Sequence, residues 1–213
     1  ISCNLRGKET GNKTESLLER YINDTTDFYE ISVKYPVLPA DKNGDIEKYV
    51  KNVVSELKED WKVGGEIYNI EKEISREFPD RASIKYSLNI DYKAYTSVKD
   101  NMSSCALYKY QYTGGANGNE SVITFTFNDR GDTLDITDIL DLNNNNDIRI
   151  SRLIAEKALN DRVEYDETML MQGLGLSFLK DDGVTIDYSK CNCDGFTFRS
   201  NLRNFVLTND GII

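Results

Sequence analysis

Thirty-six Asp and Glu residues, four cysteines and thirteen tyrosines are the side chains with which this chain could do chemistry, because it contains no histidine. A Ser-His-Asp or Cys-His mechanism therefore cannot be assembled, and zinc sites that use imidazole are excluded. Two carboxyl groups could still act as acid and base on a glycosidic bond. With so many acids, however, no spacing singles out a pair. Two stretches open like oxygen-rich cation loops. In Asp41-Lys42-Asn43-Gly44-Asp45 the glycine falls at the wrong place and no acid stands twelfth, so a turn and helix cap are expected. In Asp141-Leu142-Asn143-Asn144-Asn145-Asn146-Asp147 the sixth position lacks glycine and the twelfth is Arg152, so a polar loop is expected. No metal and no cofactor are expected.

Recognition is better served than catalysis. Tyr108, Tyr110 and Tyr112 alternate along one stretch and run into Thr113-Gly114-Gly115-Ala116-Asn117-Gly118-Asn119. Glycine and asparagine tolerate positive φ, so the chain must turn here, and a turn presents backbone donors and amide side chains. Tyrosine adds flat contact area with a polar tip, suited to stacking on sugar rings. Tyr110, Tyr112, Gly114, Gly115, Asn117 and Asn119 are the candidate ligand-binding residues. The competing reading is a structural corner that holds nothing.

A net charge of −10 and a pI near 4.7 argue against nucleic acid, whose phosphates require clustered Lys and Arg. They suit a cationic partner or simple solubility. No stretch approaches the roughly 20 apolar residues needed to span a bilayer. Ile1-Ser2-Cys3-Asn4 looks like the end of a bacterial lipoprotein signal, which makes Cys3 a candidate for lipidation and a lipid anchor the expected route to a membrane. Cys105 could then bridge to Cys191 or Cys193, since Cys191-Asn192-Cys193 is too tight to favour pairing with itself. Free thiols in a loop are the alternative.

The YTGGANGN run, the strand TFTFNDRGDTLDITDIL and the terminal FVLTNDGII resemble the extracytoplasmic domain of lysozyme-responsive anti-sigma factors of the RsiV type. The same domain is found in the non-catalytic N-terminal region of some peptidoglycan deacetylases. Tyr112, Thr113, Gly114, Gly115 and Ala116 match its central motif, while Asn117 replaces the usual histidine and Ile139-Leu140 replaces Leu-Phe. Tyr35-Pro36-Val37-Leu38 resembles the first strand of a companion N-terminal module. The resemblance implies a periplasmic or cell-surface domain that recognises a lysozyme-like basic protein or a cell-wall glycan. It also implies one more aromatic strand beyond Gly211.

The elements that must position these residues follow from periodicity. Residues 1–26 read as a polar tether with one possible helical turn. Phe28, Ile31, Val33 and Tyr35 make a strand that Pro36 and Pro39 either stop or confine to an edge. Ile46, Tyr49, Val50, Val53, Val54, Leu57 and Trp61 form a helical stripe, with Trp61 expected in the core. Gly64-Gly65 breaks this stripe before a second helix or a strand. From Ile84 to Ala94 alternation is strict, with one face buried and one wet. Ile123, Phe125 and Phe127 continue the meander, and Asn128 to Gly131 turn it towards Leu134 and Ile136, with Thr137 or Asp138 available as a helix cap.

The C-terminal part reads as a helix over Ile150 to Leu159, a short helix from Asp166 to Gly173, and then short strands. These strands are Leu176–Leu179, Val184–Tyr188 and Phe196–Phe198, with a fourth beginning at Phe205. The fold expected is α+β, an antiparallel meander with two or three helices on one face. The two lobes are residues 27–103 and 104–213, with a seam at Ser97–Ser103. Binding or sensing outside the cytoplasm, with no bond chemistry, is the expected function. A glycan-processing enzyme built on two carboxylates and a periplasmic immunity or inhibitor protein are the alternatives.

Overall fold

The alternation around Leu88 and Ile90 produces the longest strand of a five-stranded sheet. The computed structural model describes residues 17–77, 85–97, 101–114, 117–143, 145–160, 166–190, 197–208 and 211–212. The sheet is ordered β1-β2-β3-β4-β5, from strands β1 (Leu18–Thr25), β2 (Tyr29–Val37), β3 (Tyr86–Ser97), β4 (Met102–Tyr112) and β5 (Asn119–Phe127). Every neighbouring pair is antiparallel except β2 and β3, which run parallel from Tyr29–Tyr86 to Val33–Ile90. The expected meander thus holds for β3, β4 and β5 but not for β2. A parallel neighbour needs a crossover, and the helix α1 (Asp45–Glu77) supplies it.

The helix α1 begins where the sequence placed a turn and cap. Gly44 takes φ 68°, and the Asp41 carboxylate accepts hydrogen bonds from the backbone N–H of Asp45 (2.7 Å) and of Ile46 (3.1 Å). Its stripe of Ile46, Val50, Val54, Leu57 and Trp61 packs on Ile31, Val33 and Tyr35 of β2, Leu88 and Ile90 of β3, Cys105 and Leu107 of β4, and Phe127 of β5. Trp61 is only 2% exposed and stands with its ring centroid 5.5 Å from that of Tyr29 and 5.8 Å from that of Tyr86. Gly64-Gly65 does not break the helix, contrary to the sequence reading. An interior glycine costs only about 1 kcal/mol relative to alanine. At Gly65 the missing side chain admits Phe28, whose Cζ would lie 3.0 Å from a Cβ there.

Two further expectations are corrected. Residues 18–25 are a strand rather than part of a tether, because they pair antiparallel with β2 from Leu18–Val37 to Thr25–Glu30. Strand β2 is internal despite Pro36, because its pairing with β3 ends at Val33 and no ladder bond to that neighbour is required at the proline.

The chain divides into two compact units. One runs through Thr133 and resumes at Val206, and the other is Leu134–Phe205. The boundary at residues 103 and 104 does not separate them, since β3 and β4 pair from Ser87–Tyr112 to Ser97–Met102 across the expected seam.

In the first unit, a small hairpin of β6 (Leu207–Thr208) and β7 (Gly211–Ile212) lies against β3 and β4. There the N–H of Leu207 donates to the Ser104 hydroxyl at 3.0 Å, and the Ser104 and Thr126 hydroxyls are 3.0 Å apart. The second unit contains α2 (Asn146–Asn160) and α3 (Glu167–Gly173), with Ile148, Ala155, Leu176 and Phe198 at its core. Buried Ser151 donates to the carbonyl of Asp147 at 3.0 Å, and the Asn201 amide donates to Ser151 Oγ at 3.1 Å and to the carbonyl of Leu174 at 2.9 Å.

Several local expectations in this unit change. The turn after Leu134 is capped by Asp135, whose carboxylate accepts from the N–H of Thr137, while Asp138 bonds back to the N–H of Asp135. Leu176–Phe178 and Phe198–Leu202 are 3₁₀ turns rather than strands, and the strand pairing expected nearby shrinks to one bridge between Leu179 and Ile186. Gly175, at φ 72°, sets Leu176 off from the preceding helix, leaving too few extended residues for a ladder. The turn Lys180–Gly183 forms as expected, with Gly183 at φ 71° and the N–H of Lys180 donating to Thr185 at 2.8 Å. Asp182 accepts from the N–H groups of Val184 and Thr185, and these bonds to the Thr185 side chain and backbone pull its carboxyl down to about 2.

Candidate functional site

Because successive side chains in a strand point to opposite faces, register decides which residues meet. Leu88, Ile90, Cys105 and Leu107 face α1. Their neighbours Ser87, Asn89 and Asp91 on β3, and Tyr108, Tyr110 and Tyr112 on β4, therefore occupy the other face. The hairpin β6–β7 covers the end of that face at Ser104, where Ser97, Ser104 and Thr126 are buried. At the opposite end Tyr108 is 44% exposed and Tyr110 38%. Directly paired positions place Tyr110 between Asn89 and Glu120, Tyr108 between Asp91 and Val122, and Tyr112 beside Ser87. On the far side of β3, Ser32 is opposite Asn89 and Glu30 opposite Ser87.

These residues form a shallow depression of about 340 Å³, lined by Glu30, Ser32, Ser87, Leu88, Asn89 and Tyr110. It combines an aromatic ring, two hydroxyls, an amide and a carboxylate. Among the described residues, the side chains of Ser32, Ser87 and Asn89 have no hydrogen-bond partner, which leaves their polar atoms for a ligand. Among the described residues, Glu30 has a single long contact, its Oε2 lying 3.9 Å from Nζ of Lys85. The arrangement suits a ligand with a flat apolar face and several hydrogen-bonding groups at its rim, as a pyranose has.

Gly118 fixes the tyrosine. A Cβ at this position would lie 2.3 Å from Cε2 and Cζ of Tyr110, so the loop backbone rests directly on the ring. Gly114, at φ 88°, makes the turn that brings the chain back. The corner thus serves as a backing for Tyr110, and Asn117 stands exposed beyond it. Asn119 is elsewhere: it pairs with Gln111, which pairs with Leu88, so it belongs to the face that bears α1. Gly115 lies outside the described residues, as do Cys3, Cys191 and Cys193. Cys105, expected as one half of a disulfide, is a free thiol with 0% exposure. Burial pushes it up to about 12, with the Asp41 charge adding to the effect.

Sequence reasoning missed Glu30, Ser32, Ser87 and Asn89. The signal was present, since Ser87 and Asn89 occupy the wet positions of the strictly alternating strand. What alternation cannot say is which strands flank that face.

A second polar cluster joins β1 to the rest of the sheet. Glu19 accepts from the hydroxyl of Tyr21 and from that of Tyr92 (2.6 Å), and pairs with Lys34 at 2.9 Å. Those bonds, the Tyr21 one foremost, hold its carboxyl down at about 2. Desolvation pushes the Tyr92 hydroxyl well above its ordinary range, and the Glu19 hydrogen bond adds to this. These bonds tie β1 to β2 and β3.

Residues 22–120 match the family model described as Deacetylase PdaC, a span that holds β2, α1, β3 and β4, and with them most of the tyrosine face. No curated protein matches the chain. Among solved structures, a DUF3298 family protein from Pseudomonas aeruginosa PAO1 aligns at 16% identity with a TM-score of 0.44, covering 74% of this chain and 73% of its own. A member of the DUF3298 family from Bacteroides fragilis NCTC 9343 aligns at 16% identity with a TM-score of 0.48, covering 92% of this chain and 82% of its own. Among the described residues no helix is long and apolar enough to cross a membrane.

Proposed function

We propose that this chain is an extracytoplasmic binding module that recognises cell-envelope glycan on the open end of its sheet and performs no bond chemistry. The observation that carries the reading is Tyr110, ring exposed, backed by Gly118 and set beside unpartnered Asn89, Ser87 and Ser32. A tyrosine face packs against the C–H face of a sugar, and the amide and hydroxyls around it exchange hydrogen bonds with the sugar's hydroxyls. The match of residues 22–120 to the family model described as Deacetylase PdaC, together with the resemblance to the N-terminal region of peptidoglycan deacetylases, is in keeping with an envelope setting. Lipidation at Cys3 would place the module at the membrane surface.

Sedimentation of the full chain with insoluble peptidoglycan tests the proposal. The wild-type chain should pellet with the polymer, and Tyr110→Ala should stay in the supernatant while keeping its thermal midpoint. Equal sedimentation of the two would sink it. A lysozyme-like protein is the second reading, favoured by the net charge of −10 and by the likeness to lysozyme-responsive anti-sigma factors. It predicts retention of lysozyme by the immobilised chain at low salt and release as ionic strength rises.

A further inference from the structure

Resting on the glycan reading above, we infer that the depression beside Tyr110 prefers an amino sugar with a free ammonium group, the unit of a de-N-acetylated glycan, over its N-acetylated counterpart. Three carboxylates occupy the tyrosine face around this ring. Glu30 lines the depression, Glu120 is directly paired with Tyr110, and Asp91 is paired with Tyr108. Among the described residues, Asp91 and Glu120 make no ion pair, and Glu30 has only the Lys85 contact at 3.9 Å, between side chains that are 59% and 40% exposed. The two other lysines on this face are engaged: Lys34 pairs with Glu19, and Lys93 sits 5.3 Å from the centroid of Tyr95. The local field is therefore negative where a ligand would rest.

An N-acetyl group is neutral and bulky, and offers no charge to the loosely paired Glu30 carboxylate. An ammonium group at the same carbon donates up to three hydrogen bonds and carries the complementary charge. It can compete for Glu30 with the loosely held Lys85, because a solvent-exposed pair at that separation is worth little. The tyrosine ring adds to the attraction, since its face also favours a cation. Ring stacking then supplies binding common to both sugars, and the carboxylates supply the discrimination.

Titration of the full chain with glucosamine tetramer and with N-acetylglucosamine tetramer, followed by calorimetry at low salt, decides the matter. The glucosamine oligomer is expected to bind about fivefold more tightly, a margin set by one exposed charge-assisted hydrogen bond. Glu30→Gln should erase most of that margin by weakening the glucosamine oligomer more than the N-acetylated one. Tyr110→Ala should weaken both ligands alike. Equal binding of the two oligomers, or preference for the N-acetylated one, would overturn the inference and leave the glycan reading standing. Failure of both to bind would remove the glycan reading and this inference together. A preference that survives Glu30→Gln would overturn the assignment to this depression.

Discussion

Gly118 matters because of what lies against it. The ring of Tyr110 occupies the volume a side chain would need, so Gly118→Ala must push the ring off the loop. The expected outcome is at least a severalfold loss of affinity for peptidoglycan oligomers with little change in thermal midpoint, measured by calorimetry beside a melting curve. Gly131 is tied to stability instead. It stands at φ 91° with the Lys42 side chain over it, and Lys42 Nζ donates to the carbonyls of Asp129 (3.2 Å) and Arg130 (2.7 Å). Replacing Gly131 by alanine combines a strained φ with the displacement of Lys42, and should cost about 1–3 kcal/mol in urea unfolding. Both glycines sit in turns the sequence announced. Whether such a glycine backs an exposed ring or holds a buried contact depends on the neighbouring side chain, which the local sequence does not contain.

At the level of elements, β1 is the instructive case. Leu18 and Tyr21 are largely exposed, and apolar burial along the strand is thin: only Leu17 just before it and Ile22 pack against the core. The eight-residue antiparallel ladder with β2 attaches the strand, and ion pairs add to it. Arg20 pairs with Glu47 on α1, Asp24 with Lys58 on α1, and Glu19 with Lys34 on β2. Tyr29 also donates to Asp24 at 2.9 Å. A segment held this way looks like a polar tether when only apolar periodicity is considered.

Its dependence on pH follows. Glu19, Asp24 and Glu47 have lowered folded-state pKa values, so their contribution is full above the ordinary carboxylate range and is lost as pH falls through the folded values. For Glu19 that window runs from its ordinary 4.5 down to about 2. Hydrogen exchange should show β1 amides losing protection across this interval before those of β3 and β4, and Glu19→Gln should flatten the response. Unchanged protection of β1 through the same interval would contradict the account.

For the molecule as a whole, the core beneath the sheet governs how the thiols behave. Cys105 is fully buried, with its thiol pushed up to about 12, and alkylation requires an accessible thiolate. Maleimide labelling mapped by peptide should leave Cys105 unmodified in the native chain and modify it in urea with the midpoint of global unfolding. Labelling of Cys105 under native conditions would show that this core opens locally. Truncating Leu107, which is as deeply buried, to alanine should cost about 2–5 kcal/mol, read from the same unfolding curves.

The sequence by itself determined the α+β class, the amphipathic stripe of α1, the strands of the central meander and the turn at Tyr112–Asn119. Each depends on interactions between residues close along the chain: a period of two or of three to four, a cap, or a glycine with positive φ. The tertiary structure decided that β2 lies parallel to β3, that Gly64-Gly65 is passed through by one helix, and that β1 belongs to the sheet. It also decided that Glu30, Ser32, Ser87, Asn89 and Tyr110 share one depression while Asn119 stands on the opposite face. Those outcomes depend on strand order and register, which are fixed by contacts between residues tens of positions apart and leave no local pattern to read.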